Sequence, residues 1–380
     1  MDTDLVTIAI NRRARIATVM PLAKSIVDEC LQITDKDNVV INLYPHNLPL
    51  AEEIADESFR KGADVIMSLY TDRFFTSQYE RLSEDSLRLP SAYCRSLTEA
   101  STAEIFMTAT YNPAILRKVD PKKLAASNEG ENKAHFPLAN ERKIRTLSIG
   151  LALVTKPRAR TYGFNYAKWN KMMLAATSVD YGKLAKVGRA LREKLSAARH
   201  FAVTGPGGTD LSFDVSGRKW YLSDGVVDKE DVQNEDLNDQ LPAGSLTAAP
   251  LEDSANGRIA FNAGTPIMGR LSKGLQLGFE NGRVVSLKGN ASTAGVKKMW
   301  ESGTGDKDRI GYFGIGFNPK AETGYTVNNV ADGAVSIGIG GNEFIGGKNR
   351  PGFFNLDTIV GATVTADGKT ILQKGKLVSN

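Results

Sequence analysis

Histidine is scarce in this chain, with three in 380 residues: His46, His135 and His200. A centre built from several imidazoles has little to draw on, and Ser–His catalysis would depend on one of those three. Cysteine is scarcer still. Cys30 and Cys94 are the only two, which excludes a disulfide scaffold and a Cys-based zinc knuckle. No run approaches the roughly 18 apolar residues of a membrane span. Met1 to Met20 holds only the short apolar run Val6–Ile10, followed by Arg12, Arg13 and Arg15, which lacks the form of a secretory signal. A cytoplasmic protein with no membrane partner is expected. HExxH, GxSxG and EF-hand patterns are all missing.

The composition is that of a globular protein, 41% hydrophobic and 24% charged. At roughly 100–200 residues per domain, the length predicts two domains. Net charge is small, 48 − 43 = +5, but unevenly spread. Lys156 to Arg199 carries eleven Lys or Arg against two acids, and Asp228–Asp239 carries six carboxylates against one Lys. Such segments are read first as solvated faces and a loop. The sharper reading is a basic wall that attracts a carboxylate or another anion. Nucleic acid is not expected, because the basic band has neither interleaved aromatics nor a DNA-binding motif.

Helix and strand signals alternate in the first half. Leu22, Ile26, Val27, Cys30 and Leu31 share a helical face after Pro21. Asn38–Tyr44, Ala63–Leu69, Ile105–Thr110 and Leu147–Val154 read as buried strands, and Leu50–Lys61 as a helix stopped by Gly62. Asp180–Arg199 is the clearest helix, with Leu184, Val187, Leu191 and Leu195 on one face. After His200 short strands and glycine turns dominate. The expected fold is α/β: a parallel-sheet domain over 1–199 and a β-rich α+β domain over 200–380.

Gly205-Pro206-Gly207-Gly208 looks like a phosphate cradle but lacks the Gly-Lys-Ser/Thr ending, and a hairpin turn is the plainer reading. Gly338-Ile339-Gly340-Gly341 has Glu343 where a dinucleotide loop needs glycine. His46 follows a strand, His135 lies in a polar stretch read as an exposed loop, and His200 reads as a helix C-cap. Trp169, Trp220 and Trp300 read as core or interface residues.

Several segments from about residue 180 onward resemble the aminopeptidase T / aminopeptidase S family of metallopeptidases. They are Asp180-Tyr181, Gly208-Thr209-Asp210-Leu211, Leu241-Pro242-Ala243-Gly244, Pro250-Leu251-Glu252-Asp253-Ser254, Gly314-Ile315-Gly316-Phe317-Asn318-Pro319 and Gly346-Gly347. The resemblance implies a hydrolase with a dinuclear metal centre that removes an N-terminal residue, and a homodimer.

It also implies a ligand set, and here this sequence departs. Ser245 and Tyr312 stand where the family has glutamates, Ser336 where it has a histidine, and Glu343 where it has a tyrosine. The family's late His-x-Asp pair is Asn355-Leu356-Asp357, so only Asp357 is kept. Neutral oxygens are weak ligands for zinc or cobalt. The related dihydroxypyridine dioxygenase pattern, with iron on histidines and a carboxylate, fails for the same reason. No cofactor is expected, unless a single hard divalent cation sits on Asp357 and Glu343, with Glu252 or Asp253.

Three functions follow. A metal-independent enzyme would use Asp357 or Glu343 as general acid or base, with Tyr312 and Asn355 donating hydrogen bonds and Ser245, Ser336 and Glu252 contacting a peptide-like or amino-acid-like substrate. A non-catalytic protein would hold a peptide or small anion with the same residues. A metallo-aminopeptidase would need an unconventional metal site.

Overall fold

The computed structural model describes residues 20–350 and 352–378. The Val6–Ile10 run and the arginines after it lie outside the described residues. Leu22, Ile26, Val27, Cys30 and Leu31 are buried together as their spacing predicts. The helix that carries most of them relaxes to a π-turn over Ile26–Cys30.

The first lobe is built on five parallel strands. Their order is Asp64–Leu69, Asn38–Leu43, Ala103–Met107, Arg145–Ile149 and Asn238–Leu241. Asn38–Leu43 is a central strand, and its apolar run is buried on both faces, as parallel sheets require. Asp64–Leu69 was expected to be buried and is not. It is an edge strand, with Ile66, Met67 and Leu69 exposed, because the described residues pair it on one side only.

The fifth strand corrects the reading of Asp228–Asp239 as a solvated loop. That segment folds into a short helix, Lys229–Gln233, capped reciprocally by Asp228 and Asp231, and then enters the parallel sheet. Asp239 is buried and accepts hydrogen bonds from Ser223 Oγ (2.5 Å) and the Gly225 amide (2.7 Å). Burial raises the carboxyls of this segment, Asp231 to about 7 and Asp236 to about 6.

Two antiparallel sheets form the second lobe. The larger has eight strands, with His200–Gly205 and Thr209–Asp214 near its middle. Gly205 pairs with Thr209, so Gly205–Gly208 is the hairpin turn its composition indicates. The smaller has the order Phe354–Ile359, Val335–Gly340, Ile310–Gly316, Ser245–Ala248 and Tyr221–Ser223. Phe201 and Phe213 of the larger sheet meet Phe313 of the smaller at ring-centroid distances of 5.2 and 4.9 Å, with Trp220 beside them. Gly340 has φ +105°, and a Cβ there would lie 2.0 Å from the Phe353 carbonyl. It permits a close backbone approach, and no phosphate loop follows.

Tyr181–Leu195 is the helix expected near the boundary, with Asp180 Oδ1 capping the Lys183 amide at 2.9 Å. Leu184, Leu191 and Leu195 are buried, whereas Val187 is 44% exposed. Gly188 takes the inward position instead, where a Cβ would meet Leu222. Trp169 is fully buried, stacks on Tyr325 and meets Phe164 edge-to-face, tying the two lobes together.

Candidate functional site: a cavity between the lobes

Strand register decides which residues of the smaller sheet share a face, because directly opposed residues project to the same side. Tyr312 opposes Gly338, Ser336 opposes both Gly314 and Thr358, and Ser245 opposes Gly316. Ser245, Tyr312, Ser336 and Thr358 therefore lie on one face. Ser336 Oγ and Thr358 Oγ1 are 2.8 Å apart. The Tyr312 ring fills the space above two glycines. A Cβ on Gly314 would come within 2.8 Å of the ring, and one on Gly338 within 2.8 Å of the tyrosine Cβ. Burial pushes the phenol well above its usual pKa, although its hydroxyl lies against Thr247 and Asn329.

Asn355 and Asp357 lie on the opposite face, facing the core. Asp357 opposes Ile337 and Asn355 opposes Ile339. Asn355 Nδ2 donates to Asp357 Oδ2 at 2.6 Å. Burial raises the Asp357 carboxyl to about 6, outweighing that hydrogen bond. Glu343 is on an exposed 3-10 turn beside Phe344. Glu252 is part of a structural clasp. Its carboxylate pairs with Arg218 and accepts the Lys348 amide at 2.7 Å. Burial alone would raise it, but the Lys348 amide and the Arg218 charge hold it below the usual range. The structure thus brings together Ser245, Tyr312 and Ser336 and separates Asn355, Asp357, Glu343 and Glu252 from them.

The histidines also stand apart. His46 Nε2 is 2.9 Å from the Ala152 carbonyl oxygen, and burial lowers its pKa. His135 does not sit in an exposed loop. It joins two helices, Pro121–Ala134 and Phe136–Glu141, and its Nδ1 is 3.5 Å from Glu104 Oε2. His200 caps no helix: it opens a strand, and its Nδ1 is 2.8 Å from Asp214 Oδ1.

Beside the Tyr312–Ser336 face is a cavity of about 230 Å³. At about 30 Å³ per water this is room for roughly eight waters, the scale of one amino-acid-sized molecule. Both lobes line it. The first lobe supplies Arg158 and Tyr162 from the helix Lys156–Tyr162. Thr155 caps that helix by accepting the Arg158 amide (3.1 Å), Pro157 suits its first turn, and Gly163 ends it at φ 72°. The second lobe supplies Thr265, Thr326, Asn328, Asn329 and Thr358. Asn328 is pinned, donating to the Gly264 carbonyl (2.9 Å) and accepting the Gly324 amide (2.7 Å).

Arg158 is the unusual member. It is 6% exposed, and no carboxylate lies within ion-pair distance among the described residues. Its Nη2 donates to the Thr110 carbonyl (2.6 Å) and hydroxyl (3.2 Å), while its Nε has no partner. Thr326 Oγ1 is likewise unpartnered, and so is Thr265 Oγ1 at good geometry, although it lies beside the Asp357 carboxyl. Sequence reasoning passed over Arg158, Tyr162 and Thr326. The one signal was membership of Arg158 in the basic band, which does not distinguish it from its solvated neighbours.

The chain belongs to the thermophilic metalloprotease family M29, whose family model matches residues 17–321. Among solved structures it is similar to wild-type AmpT from Thermus thermophilus, with a TM-score of 0.72 at 15% identity over 96% of this chain and 99% of that one. It is also similar to 2,5-dihydroxypyridine dioxygenase from Pseudomonas putida KT2440, with a TM-score of 0.62 at 14% identity over 96% and 98%. A search of curated proteins finds no match.

Membership of M29 implies a metal, which requires converging donor side chains. Among the described residues, no three His, Cys, Asp or Glu side chains converge to hold an ion. The Tyr312–Ser336 face offers only hydroxyls, and the Tyr312 ring fills its centre. Those donors do not fit a dinuclear transition-metal site. No helix among the described residues is long and apolar enough to cross a membrane.

Proposed function

We propose that this chain uses the M29 aminopeptidase scaffold to bind an amino-acid-like or peptide-like small molecule in the interlobe cavity, without a dinuclear metal centre. The single observation that carries this reading is the wall chemistry. The cavity presents a buried guanidinium and neutral donors and, among the described residues, no carboxylate or imidazole in its lining. A general base must reach the proton it removes, within about 2.6–3.2 Å or through one water. Asp357 faces the core side of its strand, and Glu343 is at the surface. Binding is therefore favoured over metal-independent hydrolysis by Asp357 or Glu343, and both over metal-dependent hydrolysis.

The test is differential scanning fluorimetry with a panel of amino acids, N-acylated amino acids and dipeptides, beside a peptidase assay with added zinc or cobalt. Ligand-dependent stabilisation without peptide cleavage is the expected result. Cleavage that requires metal would overturn the reading in favour of an unconventional metal site.

A further inference from the structure

The cavity wall also specifies the charge of its occupant. We infer that it takes a small monocarboxylate with an apolar tail and no free ammonium group, with Arg158 as the residue that anchors the carboxylate. This rests on the binding function proposed above and narrows its ligand class.

Three observations converge. A guanidinium buried without a counter-ion is costly, and a ligand carboxylate supplies the missing charge. Arg158 keeps donor capacity: its Nη2 is bonded to Thr110 and the guanidinium also meets Tyr162, but its Nε is unpartnered. A planar fork with free donors matches a carboxylate. The acid whose charge acts on Arg158 is Asp72, which forms no ion pair with it and whose two oxygens accept the Tyr111 (2.8 Å) and Asn112 (2.9 Å) amides.

The second observation is the Thr326 hydroxyl, buried and unpartnered in the same wall. It can donate to the carboxylate beside Arg158. The third is what the wall lacks. Among the described residues no Asp or Glu lines the cavity, so no carboxylate there pairs with a free amino terminus. The wall also has an apolar part, formed by Leu116, Leu153, Pro266, Met268 and Leu356, beside its neutral hydroxyls and amides. An aliphatic chain fits against it, and an ammonium does not. An aminopeptidase substrate, which enters by its free amine, is the opposite chemistry.

Isothermal titration with four probes separates the possibilities: 4-methylpentanoate, 4-methylpentanamide, L-leucine and L-leucinamide. The first is expected to bind at least about tenfold more tightly than its amide and than L-leucine, since a charge-assisted hydrogen bond is worth on the order of tenfold or more. Arg158→Gln should remove 4-methylpentanoate binding by about 10- to 100-fold. Because Arg158 also holds Thr110, that variant alone is not decisive. Thr326→Val removes an unpartnered hydroxyl, so it should keep the melting temperature while weakening 4-methylpentanoate and leaving the amide unchanged. Equal binding of acid and amide, or stronger binding of L-leucine or L-leucinamide, would overturn the carboxylate inference and leave the binding function standing. No binding by any of the four, with no shift from the wider panel, would overturn both.

Discussion

Asp357 is the residue whose family origin and present position diverge most. The resemblance implies that it is the one ligand type retained, yet it lies beside Ile337 on the core side of its sheet. Its folded pKa is raised to about 6. Between the unfolded value near 4 and about 6 the fold binds more protons than the unfolded chain. Stability from this group is therefore full below about pH 4 and is lost as pH rises through about 6. Asp357→Asn should then stabilise the protein by about 2–3 kcal/mol at pH 8 and by little at pH 4, because one pKa unit is about 1.4 kcal/mol. Urea denaturation at the two pH values measures this. Equal effects at both would show that the carboxyl is not the buried acid described. The substitution serves a second purpose, since a residue placed off the cavity should leave ligand affinity unchanged.

At the scale of elements, two packing features carry predictions. The Tyr312 ring sits over Gly314 in the smaller sheet. Gly314→Ala should cost about 1–3 kcal/mol through overpacking, and most of that cost should vanish in a Tyr312→Ala background. A double-mutant cycle by chemical denaturation reads the coupling; additive effects would mean that the ring does not fill that space. The acidic segment from Asp224 to Asp239 is the second feature. Burial raises Asp224, Asp231, Asp236 and Asp239, while Arg189 and Arg192 oppose the rise at Asp224, and Lys219 and Arg192 at Asp236. The fold is again favoured by protonation, so local stability of this segment should fall between about pH 6 and 8. Hydrogen exchange corrected for intrinsic rates should show faster opening of residues 224–241 at pH 8 than at pH 6. No difference would contradict the burial assigned to these acids.

These elements also show what a sequence makes legible. The helix face Leu22–Leu31 and the strand Asn38–Leu43 were readable because apolar spacing and burial coincide. Asp64–Leu69 was misjudged because an edge strand and a central strand share one composition, and only pairing separates them. Asp228–Asp239 was misjudged because charge predicts solvation unless hydrogen bonds and protonation offset burial. The candidate site was legible in type but not in place. Motif order located Ser245, Tyr312 and Ser336, but the face occupied by Asn355 and Asp357 depends on strand register. Arg158 gave no signal beyond one charge among many.

At the scale of the whole molecule, the two halves of the chain are interleaved. Asn238–Leu241 completes the parallel sheet next to Arg145–Ile149. A fragment ending at residue 199 would leave that strand an open edge and the helices around it uncovered. Fragment 1–199 should therefore fail to unfold cooperatively or should aggregate, as circular dichroism and gel filtration would show; a cooperative melt would mean that the first lobe is autonomous. The same interleaving sets the cavity, since Arg158 and Thr326 approach from opposite lobes and neither lobe alone encloses it.

The central claim is that the Tyr312–Ser336 face does not hold the metal pair that the M29 scaffold implies. Inductively coupled plasma mass spectrometry on protein purified without chelator, then repeated after equilibration with zinc or cobalt and desalting, addresses it most directly. The account predicts well under one equivalent of any transition metal per chain in both samples. Two equivalents retained through desalting, and lost on Tyr312→Ala or Ser336→Ala, would contradict it.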